Sequence, residues 1–459
     1  MTHLQVSQRY QDISANQSAK AVELNDPSIH QLKLLNDESE WVASDISYRD
    51  KLVEVLSSDL DFHGYDTGYA SHDFHPFPAK FPPQLPRKFI QGLTKPGDVV
   101  LDPMMGSGTT IVEAYLADRV AVGVDIDPLA RLITHVKTTS VDAQIISEVG
   151  RSILESATLR IQNDPESLAC ELKTRWDKKT FEFIDYWFAF NTQLELLALS
   201  TEIKKIEEES IRAFFELVFS SCIITKSGGV SLAFDLAHTR PHRAKIVYSD
   251  TGALILGENE KENSSPRIKL LTKNLRSALV EFRKRYQQIA KSLVELNLNK
   301  PSPQVYQGDA QKLPCEDSSI DLIVTSPPYA SNAIDYMRAH KFSLVWLGYS
   351  VELLGDTRKL CIGGEGTTDF EFECLPQYTD KIIKAIKQLD EKKGQVLHRY
   401  YSEMTRTLKE IHRVLKPDRA AILVVASSML RNHDTETNVC LAEIGEQIGF
   451  KSQKLESVV

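Results

Sequence analysis

The sequence predicts an α/β fold whose mostly parallel sheet is interrupted by a large, mainly helical insertion. Short apolar strands alternate with amphipathic helices over residues 97–139, a pattern typical of a parallel sheet. Strand patterns then stop, and apolar residues recur at helical spacing until strands resume at 304–306 and 320–324. The sheet is therefore expected to be assembled from two halves that are far apart in the chain.

Several further elements are expected outside the first half. Apolar residues recur every three or four positions from Arg267 to Leu296, which predicts one long amphipathic helix that begins after Pro266. Near the end of the chain we expect a helix over 400–415, a buried strand over 420–425 and a helix over 440–448. The predicted regions are an N-terminal extension (1–70), the first half of the sheet domain (71–140), the helical insertion (141–300) and the second half of the sheet domain (301–459).

Composition excludes several classes of protein. The chain lacks any run of about 18 apolar residues, so no transmembrane helix is expected. The N-terminus lacks the apolar stretch of a secretory signal, and the six cysteines form no CxxC pair or Cys/His cluster, so neither a metal site nor a disulfide framework is indicated. A cytoplasmic protein fits these features. The net charge of −9 argues mildly against nucleic-acid binding, although a local basic surface would suffice.

A glycine-rich turn joins the first predicted strand to the following helix. The segment from Asp102 to Thr110 reads DPMMGSGTT. Glycine allows positive φ and close approach of a ligand to the backbone. The start of the helix offers free N–H groups and a positive dipole end, which suit a carboxylate. No Gly-Lys-Ser/Thr follows, so the turn is not a P-loop. The alternative is an ordinary tight turn before a helix.

Acidic residues come at the ends of two further strands. Asp125 ends the second strand, where a carboxylate can accept hydrogen bonds from both hydroxyls of a ribose. Asp309 follows the third strand and can accept a hydrogen bond from an adenine amino group, although Gly308-Asp309 is also an ordinary turn. The strand, the glycines and Asp125 together favour a ligand-binding turn.

A proline-rich loop directly follows the fourth predicted strand. Ligands of open α/β sheets bind outside the carboxyl ends of the strands, and Thr325-Ser326-Pro327-Pro328-Tyr329 lies there. The proline pair fixes the backbone and removes two donors, which leaves carbonyl oxygens and Ser326 to accept hydrogen bonds from an amino group. Such acceptors would direct the lone pair of a base amino group toward a methyl carbon, while Tyr329 stacks on the base. The alternative is a rigid surface loop.

Together these motifs resemble those of the amino-methylating DNA methyltransferases of restriction–modification systems. The resemblance covers residues 70–139 and 303–455. It implies a Rossmann-like S-adenosylmethionine-dependent methyltransferase fold, with S-adenosyl-L-methionine as cofactor and double-stranded DNA as substrate. It also implies that the insertion holds the target-recognition region, and it suggests a cognate restriction endonuclease as a partner. A base inside a duplex is out of reach of the loop, so base flipping is expected.

The same resemblance assigns roles to individual residues. The family's adenine-N6 enzymes commonly have Asp or Asn where Ser326 stands, and a serine is found mostly in cytosine-N4 enzymes, so cytosine N4 is favoured. The family usually has Phe at the position of Met104, and residues 75–81 (HPFPAKF) resemble its segment that lines the cofactor pocket. The implied cofactor-binding residues are Phe77, Ala79, Lys80, Asp102, Met104, Gly106, Ser107, Gly108, Thr109, Thr110, Asp125, Ile126, Asp309 and Ala310, and the implied catalytic residues are Ser326, Pro327, Pro328 and Tyr329.

Candidate DNA contacts lie in the insertion and after the proline-rich loop. Residues 240–245 (RPHRAK) form a compact basic segment. Basic side chains contact phosphates, and arginine can read guanine in the major groove; a solvated loop is the alternative. After the proline-rich loop, Asn332, Asp335, Tyr336 and Arg338 are placed to border a flipped base; a structural role is the alternative for Arg338. The candidate DNA-binding residues are Arg240, His242, Arg243, Lys245, Asn332 and Arg338.

Alternative functions follow from the same motifs. Adenine-N6 methylation of DNA is the nearest one. Some RNA amino-methyltransferases also pair a glycine turn with Pro-Pro-Tyr, but they usually carry a recognisable RNA-binding domain, and the sequence shows none. A non-catalytic DNA-binding subunit could keep the same fold. Cytosine-C5 methylation is disfavoured because it needs a cysteine nucleophile, and Cys315 comes before the fourth strand. The family usually ends in an antiparallel strand pair, whereas residues 450–459 supply at most one strand.

Overall fold

A computed structural model of the chain describes residues 46–77, 80–225, 227–236, 241–258, 271–293, 302–330 and 335–452. The strands of these ranges are β1 (Val99–Asp102), β2 (Val120–Asp125), β3 (Ala233–Asp235), β4 (His242–Arg243), β5 (Ile246–Tyr248), β6 (Leu254–Leu256), β7 (Thr272–Asn274), β8 (Gln304–Gln307), β9 (Ile320–Thr325), β10 (Leu415–Leu423), β11 (Met429–Leu430) and β12 (His433–Asp434).

Helices make up most of the rest of the described chain. They are α1 (Tyr48–Ser57), α2 (Gln84–Leu93), α3 (Thr109–Leu116), α4 (Pro128–Lys137), α5 (Ala143–Asn163), α6 (Pro165–Thr174), α7 (Lys178–Trp187), α8 (Phe190–Lys204), α9 (Glu209–Ile223), α10 (Ala278–Leu293), α11 (Tyr336–Leu347), α12 (Val351–Leu360), α13 (Gln377–Leu389), α14 (Glu391–Val414) and α15 (Thr437–Ile448).

The main sheet is parallel and has the strand order β10-β9-β1-β2-β8. From β1 the chain runs to one side through β2 and β8, and then to the other side through β9 and β10. Such a reversal opens a crevice at the carboxyl ends of the central strands, which is where ligands of open α/β sheets bind. The predicted parallel sheet assembled from two distant parts of the chain is confirmed, and the fold is the Rossmann-like methyltransferase fold with a helical insertion.

Both faces of this sheet are covered by helices. Along β1, Val100 packs in a core with residues of α2 and α3, whereas Leu101 packs in a second core with residues of α13, α14 and α15. The same alternation occurs on β9, where Leu322 faces the first core and Ile323 the second. Successive side chains of a strand point to opposite faces, so both sides of the sheet are buried.

The region between α4 and β8 is mainly helical, as expected, but it also carries short strands. Helices α5 to α10 build most of it, while β3 pairs with β4 and β5 pairs with β6 and β7. Its buried core is continuous with α4 and α11, because Phe215 and Phe282 of the insertion belong to the same apolar cluster as Ile133 and Phe342. The insertion is therefore packed onto the sheet domain rather than connected to it only by linkers.

One predicted helix was wrong over part of its length. Residues 272–274 form β7, which pairs in parallel with β5, and helix α10 begins only at Ala278. The start is fixed by local contacts: the Val280 amide donates to Ser277 Oγ at 3.4 Å and the Ala278 amide to Glu195 Oε2 at 2.5 Å. The apolar spacing continues through both elements, so periodicity alone hid the boundary. The ends of the predicted span, Arg267 and Leu296, lie outside the described residues.

The C-terminal elements differ from expectation in their bounds. Helix α14 begins at Glu391, nine positions before the predicted start at Tyr400, where Asp390 caps it by accepting a hydrogen bond from the Lys393 amide at 3.1 Å. Strand β10 begins at Leu415, and a register shift between Leu415 and Ala420 accommodates Pro417. Up to residue 452 the described chain adds no antiparallel pair to the main sheet, since β11 and β12 pair only with each other.

Candidate active site

A cavity of about 260 Å³ opens at the carboxyl ends of β1, β2, β8 and β9. It brings together side chains that are far apart in the sequence. Among the residues singled out from the sequence, it is lined by Phe77, Lys80, Met104, Gly106, Ser107, Thr109, Asp125, Ile126, Asp309, Ala310, Ser326, Pro327, Pro328 and Tyr329. Asp102, Gly108 and Thr110 lie directly beneath this lining, and Ala79 lies outside the described residues.

The glycine turn between β1 and α3 has a backbone conformation that favours glycine at two positions. Gly106 has φ +48° and Gly108 has φ +75°, both in the left-handed region. A Cβ atom on Gly108 would collide with the side chain of Thr134 of α4, and one on Gly106 would lie 3.5 Å from the Phe77 ring. The Gly108 amide donates to the Met105 carbonyl at 2.7 Å, which closes the turn. The backbone therefore reaches the cavity with no side chain in the way.

Two carboxylates support the turn, the half-buried Asp125 and the buried Asp102. Asp125 Oδ2 accepts a hydrogen bond from the Gly106 amide at 2.8 Å, and burial raises the pKa of Asp125 to about 7. Asp102 is 1% exposed and accepts from the Met104 amide at 3.1 Å; burial raises its pKa to about 6. Asp125 lines the cavity and Asp102 does not, so Asp125 is the carboxylate of this pair that a ligand can contact.

A buried lysine, which sequence reasoning missed, lies behind the same turn. Lys137 ends α4, is 1% exposed and donates from Nζ to the Ser107 carbonyl at 2.8 Å. Burial holds its pKa well below the usual lysine value. On the other side of the turn, Thr110 Oγ1 donates to the Val324 carbonyl at 3.1 Å and so ties α3 to β9. The glycine turn is therefore fixed by one side-chain hydrogen bond to its backbone, from Lys137, and by a second one just after it, from Thr110.

Phe77 and Lys80 line the cavity, and the residues before Phe77 are anchored by Glu113 of α3. Glu113 is 1% exposed and accepts hydrogen bonds from Tyr69 Oη at 2.6 Å, His72 Nε2 at 2.7 Å and Arg87 Nε at 2.7 Å. Burying a carboxylate is unfavourable unless it is paired, and these three donors satisfy it. The sequence offered a weak signal, since an acidic residue stands in the mostly apolar helix α3.

Helix α11 is joined to Phe77 and to the start of helix α4 by two sets of contacts. The Phe77 ring stacks on Tyr336 with ring centres 5.2 Å apart and also contacts His340 at 5.0 Å. His340 is fully buried, and its Nδ1 atom lies 2.5 Å from Asp127 Oδ2. Asp127 caps helix α4 by accepting from the Leu129 amide at 2.8 Å. The two halves of the sheet domain therefore meet at a packed polar and aromatic junction beside the cavity.

The proline-rich loop presents acceptors to the cavity. Ser326 Oγ donates its proton to the Val424 carbonyl at 3.0 Å, so the oxygen lone pairs of Ser326 are left to accept hydrogen bonds. Tyr329 is 36% exposed, and its ring lines the cavity. Across the cavity, Asp309 Oδ1 accepts from the Gln311 amide at 2.9 Å, a turn contact that leaves its carboxylate in the lining.

A second glycine-rich segment lines the cavity and was not singled out from the sequence. Residues 361–366 read CIGGEG and follow helix α12. All of them except Gly363 are among the lining residues, and the largely buried Arg399 on α14 packs against them and also reaches the lining. The pattern of three glycines in a loop was available in the sequence, but no predicted strand precedes it.

The candidate DNA-binding residues are placed in two different regions. His242 and Arg243 form strand β4, where the exposed His242 ring contacts Asp235 at 3.2 Å and the Arg243 guanidinium lies 4.4 Å from the Tyr186 ring centre. Lys245 is exposed nearby, and none of these three lines the cavity. Arg338 pairs with Asp335, itself a lining residue, at 2.8 Å. Arg240 and Asn332 lie outside the described residues.

The described ranges contain neither a metal-binding cluster nor a membrane-spanning helix. No group of three or more His, Cys, Asp or Glu side chains there is arranged to hold a metal ion. Every helix within those ranges is too short or too polar to span a membrane.

Comparisons with known proteins agree with this geometry. The sequence profile of a DNA methylase family (N6_N4_Mtase) matches residues 33–134. The chain is 24% identical to the type II methyltransferase M.MvaI of Kocuria varians over 90% of this chain and 88% of the relative. It is 21% identical to M.BsoBI of Geobacillus stearothermophilus over 94% of this chain and 86% of the relative. A short stretch is 50% identical to M.BglI of Bacillus subtilis, over 11% of this chain and 14% of the relative. No solved structure matches the chain.

The parallel sheet, the glycine turn and the acid at the end of β2 define an S-adenosylmethionine-dependent methyltransferase. With the sequence matches, the protein is an S-adenosylmethionine-dependent DNA methyltransferase, and it is similar to the type II methyltransferases M.MvaI and M.BsoBI. The cavity fits the cofactor, because a side chain at Gly106 would enter the space at the start of α3 and because Asp125 faces the cavity.

Proposed function

We propose that this enzyme methylates the exocyclic N4 amino group of a cytosine in double-stranded DNA. The proposal depends above all on Ser326, the serine that opens the proline-rich loop. Its hydroxyl proton is engaged by the Val424 carbonyl, so Ser326 can offer a neutral acceptor to a base amino group. By resemblance, a serine at this position favours cytosine, and an aspartate or asparagine favours adenine.

In this proposal S-adenosyl-L-methionine supplies a methyl group on a positively charged sulfur. Gly106 and the start of α3 would hold its carboxylate end, Asp125 its ribose and Asp309 its adenine, since all of these line one side of the cavity. Met104, where the family usually has a phenylalanine, would pack against the adenosyl part. Ser107, Thr109, Ile126 and Ala310 complete this side.

The other side of the cavity would hold the base. The carbonyl oxygens at Ser326 and Pro327 and the Ser326 hydroxyl oxygen would accept the two amino hydrogens of the base. This arrangement would aim the nitrogen lone pair and would leave the enzyme itself unmodified. Tyr329 would stack on the ring. A cytosine in a duplex cannot reach this depth without leaving the stack, so base flipping belongs to the proposal.

The region between α4 and β8 is proposed to contact DNA through His242, Arg243 and Lys245, and Arg338 is proposed to act beside the cavity. Regions 71–140, 141–300 and 301–459 would then act as cofactor half, target-recognition region and catalytic half. A cognate endonuclease that cleaves the same site when it is unmethylated is the expected partner, as in restriction–modification systems generally.

The decisive experiment compares the modified bases in DNA. Genomic DNA from cells that express the chain would be sequenced by a method that separates N4-methylcytosine from N6-methyladenine. We expect N4-methylcytosine at one short motif, absent from cells that express the Ser326→Ala, Tyr329→Ala double variant. N6-methyladenine at the motif would overturn the cytosine assignment. Transfer of labelled methyl groups to tRNA in preference to genomic DNA would overturn DNA as the substrate.

A further inference from the structure

The glycine-rich segment 361–366 comes into near contact with the proline-rich loop. Gly363 has φ +80°, and a Cβ atom built on it would lie 3.8 Å from the Tyr329 carbonyl oxygen. Gly364, Glu365 and Gly366 line the same cavity as the Tyr329 ring. Two glycine-rich segments therefore border one cavity: the turn at Gly106 on the cofactor side, and this segment beside Tyr329.

A buried ion pair on α14 holds the segment at both ends and in its middle. Arg399 is 7% exposed and Glu403 is 2% exposed, and Arg399 Nε donates to Glu403 Oε1 at 2.9 Å. The two terminal nitrogens of Arg399 donate to the carbonyl oxygens of Lys359 (2.7 Å) and Gly366. Glu403 Oε2 accepts from the Gly363 amide at 2.7 Å.

A pair of this kind is better suited to fixing a position than to stabilising the fold. Burying two charges loses most of what their attraction gains, and apolar residues of similar volume often do as well for stability. The planar arginine fork, in contrast, fixes the direction of each carbonyl it contacts. The guanidinium of Arg399 donates to backbone carbonyls before and after Gly363 and Gly364. Arg399 therefore fixes the backbone path of this segment.

The segment also has no room for side chains at its centre. A Cβ atom on Gly364 would lie 2.9 Å from Arg399 Nη2, closer than ordinary contact. One on Gly366 would lie 3.5 Å from Arg399 Nη1, an ordinary distance. The wall of the cavity next to Tyr329 is therefore bare backbone at Gly364, whose amide donates to the Cys361 carbonyl at 3.2 Å.

We infer that residues 361–366 form the wall of the target-base pocket next to Tyr329, and that Arg399 is the positioning residue that fixes this wall. The inference rests on the proposed function. Bare backbone at Gly364 lets a planar base approach the wall to contact distance. The residues expected to hold the cofactor (Gly106, Asp125 and Asp309) come from other elements, so the two pockets can be perturbed separately.

The test uses a pair of glycine variants of the full chain. Gly364→Ala places a methyl group against Arg399 and displaces the wall. Gly355→Ala is the matched control, because Gly355 lies on α12 and nothing is within 4 Å of a Cβ atom there. Methylation would be measured on a duplex that contains the mapped site. Cofactor binding would be measured by calorimetry, and flipping by 2-aminopurine fluorescence with the probe at the target base.

We expect Gly364→Ala to lower kcat/KM for DNA at least tenfold and to reduce the 2-aminopurine signal, while the Kd for S-adenosylmethionine changes less than twofold. Gly355→Ala should leave all three unchanged. Gly366→Ala should fall between them. Arg399→Lys, which keeps the charge but not the fork, should reproduce the pattern of Gly364→Ala, with circular dichroism as the check that both variants are folded.

Two outcomes would overturn the inference while the proposed function stands. The first is an active parent whose Gly364→Ala variant methylates and flips normally. The second is a variant that loses cofactor affinity as strongly as it loses methylation, which would assign the segment to the cofactor pocket. A parent that transfers no methyl group to any DNA would overturn the proposed function itself, and the inference with it.

Discussion

Acidification from pH 8 to pH 6 is expected to weaken cofactor binding about tenfold through Asp125. Burial raises the pKa of this carboxyl to about 7. Ionised Asp125 can accept both ribose hydroxyl hydrogen bonds, whereas the protonated form keeps fewer acceptor sites. With this pKa, about nine-tenths of the molecules carry the carboxylate at pH 8 and about one-tenth at pH 6. Because binding favours the ionised form, affinity rises with pH through the neutral range and falls below it.

The assay is calorimetric titration with S-adenosylmethionine at both pH values, for the parent and for Asp125→Asn. Dividing the two affinities at each pH removes the titration of the ligand's own amino group and that of Asp102, whose pKa burial raises to about 6. The parent-to-variant ratio should fall about tenfold on going from pH 8 to pH 6. An unchanged ratio would refute the reasoning, because Asp125 would then not be the group that receives the ribose.

Three further perturbations test other parts of the site. Gly106→Val puts a β-branched side chain at φ +48° and into the cavity, so cofactor affinity should fall at least about tenfold. Gly64→Val is the control, because Gly64 also has a positive φ (+85°) but open space around it; calorimetric titration should show an unchanged cofactor affinity. Tyr329→Ala removes stacking of about 1–3 kcal/mol and should lower kcat/KM for DNA by about 5- to 150-fold, with the Kd for cofactor unchanged; retention of full methylation would contradict the stacking role of Tyr329. Glu113→Gln gives the buried His72 and the half-buried Tyr69 and Arg87 a weaker, neutral acceptor, and urea denaturation should show a loss of roughly 3 kcal/mol in the free energy of unfolding; a loss below about 0.5 kcal/mol would contradict the buried-pair argument.

Much of the fold was predictable because its signals are local. The helix after the glycine-rich turn, α3, was predictable because Gly108 directly precedes it and the apolar residues begin at once. Strands β1, β2 and β9 carry apolar runs that are largely buried, whereas β8 lies at an edge of the sheet and is mostly exposed. Where a strand and a helix share one apolar spacing, as at β7 and α10, the pattern continues across the boundary, and only the pairing of β7 with β5 reveals the strand.

The candidate site was predictable only where it coincides with strand ends. Asp125, Asp309 and Ser326 each follow a strand, so their convergence follows from the parallel topology. Lys137, Glu113 and the pair formed by Arg399 and Glu403 act through contacts between elements far apart in the sequence. An isolated buried charge on a helix has no sequence signature that distinguishes it from a solvated one, so these groups became visible only in three dimensions.

The shared core of the insertion limits how new specificities can be made from this scaffold. If the region between α4 and β8 reads the target sequence, exchanging it with that of a relative would expose or overfill the contacts of Ile133 on α4 and of Phe342 on α11, which pack against it. A workable chimera would have to carry those two helical faces with the exchanged region. The preferred DNA sequence of such a protein would then change more readily through single substitutions in surface loops than through exchange of the whole region.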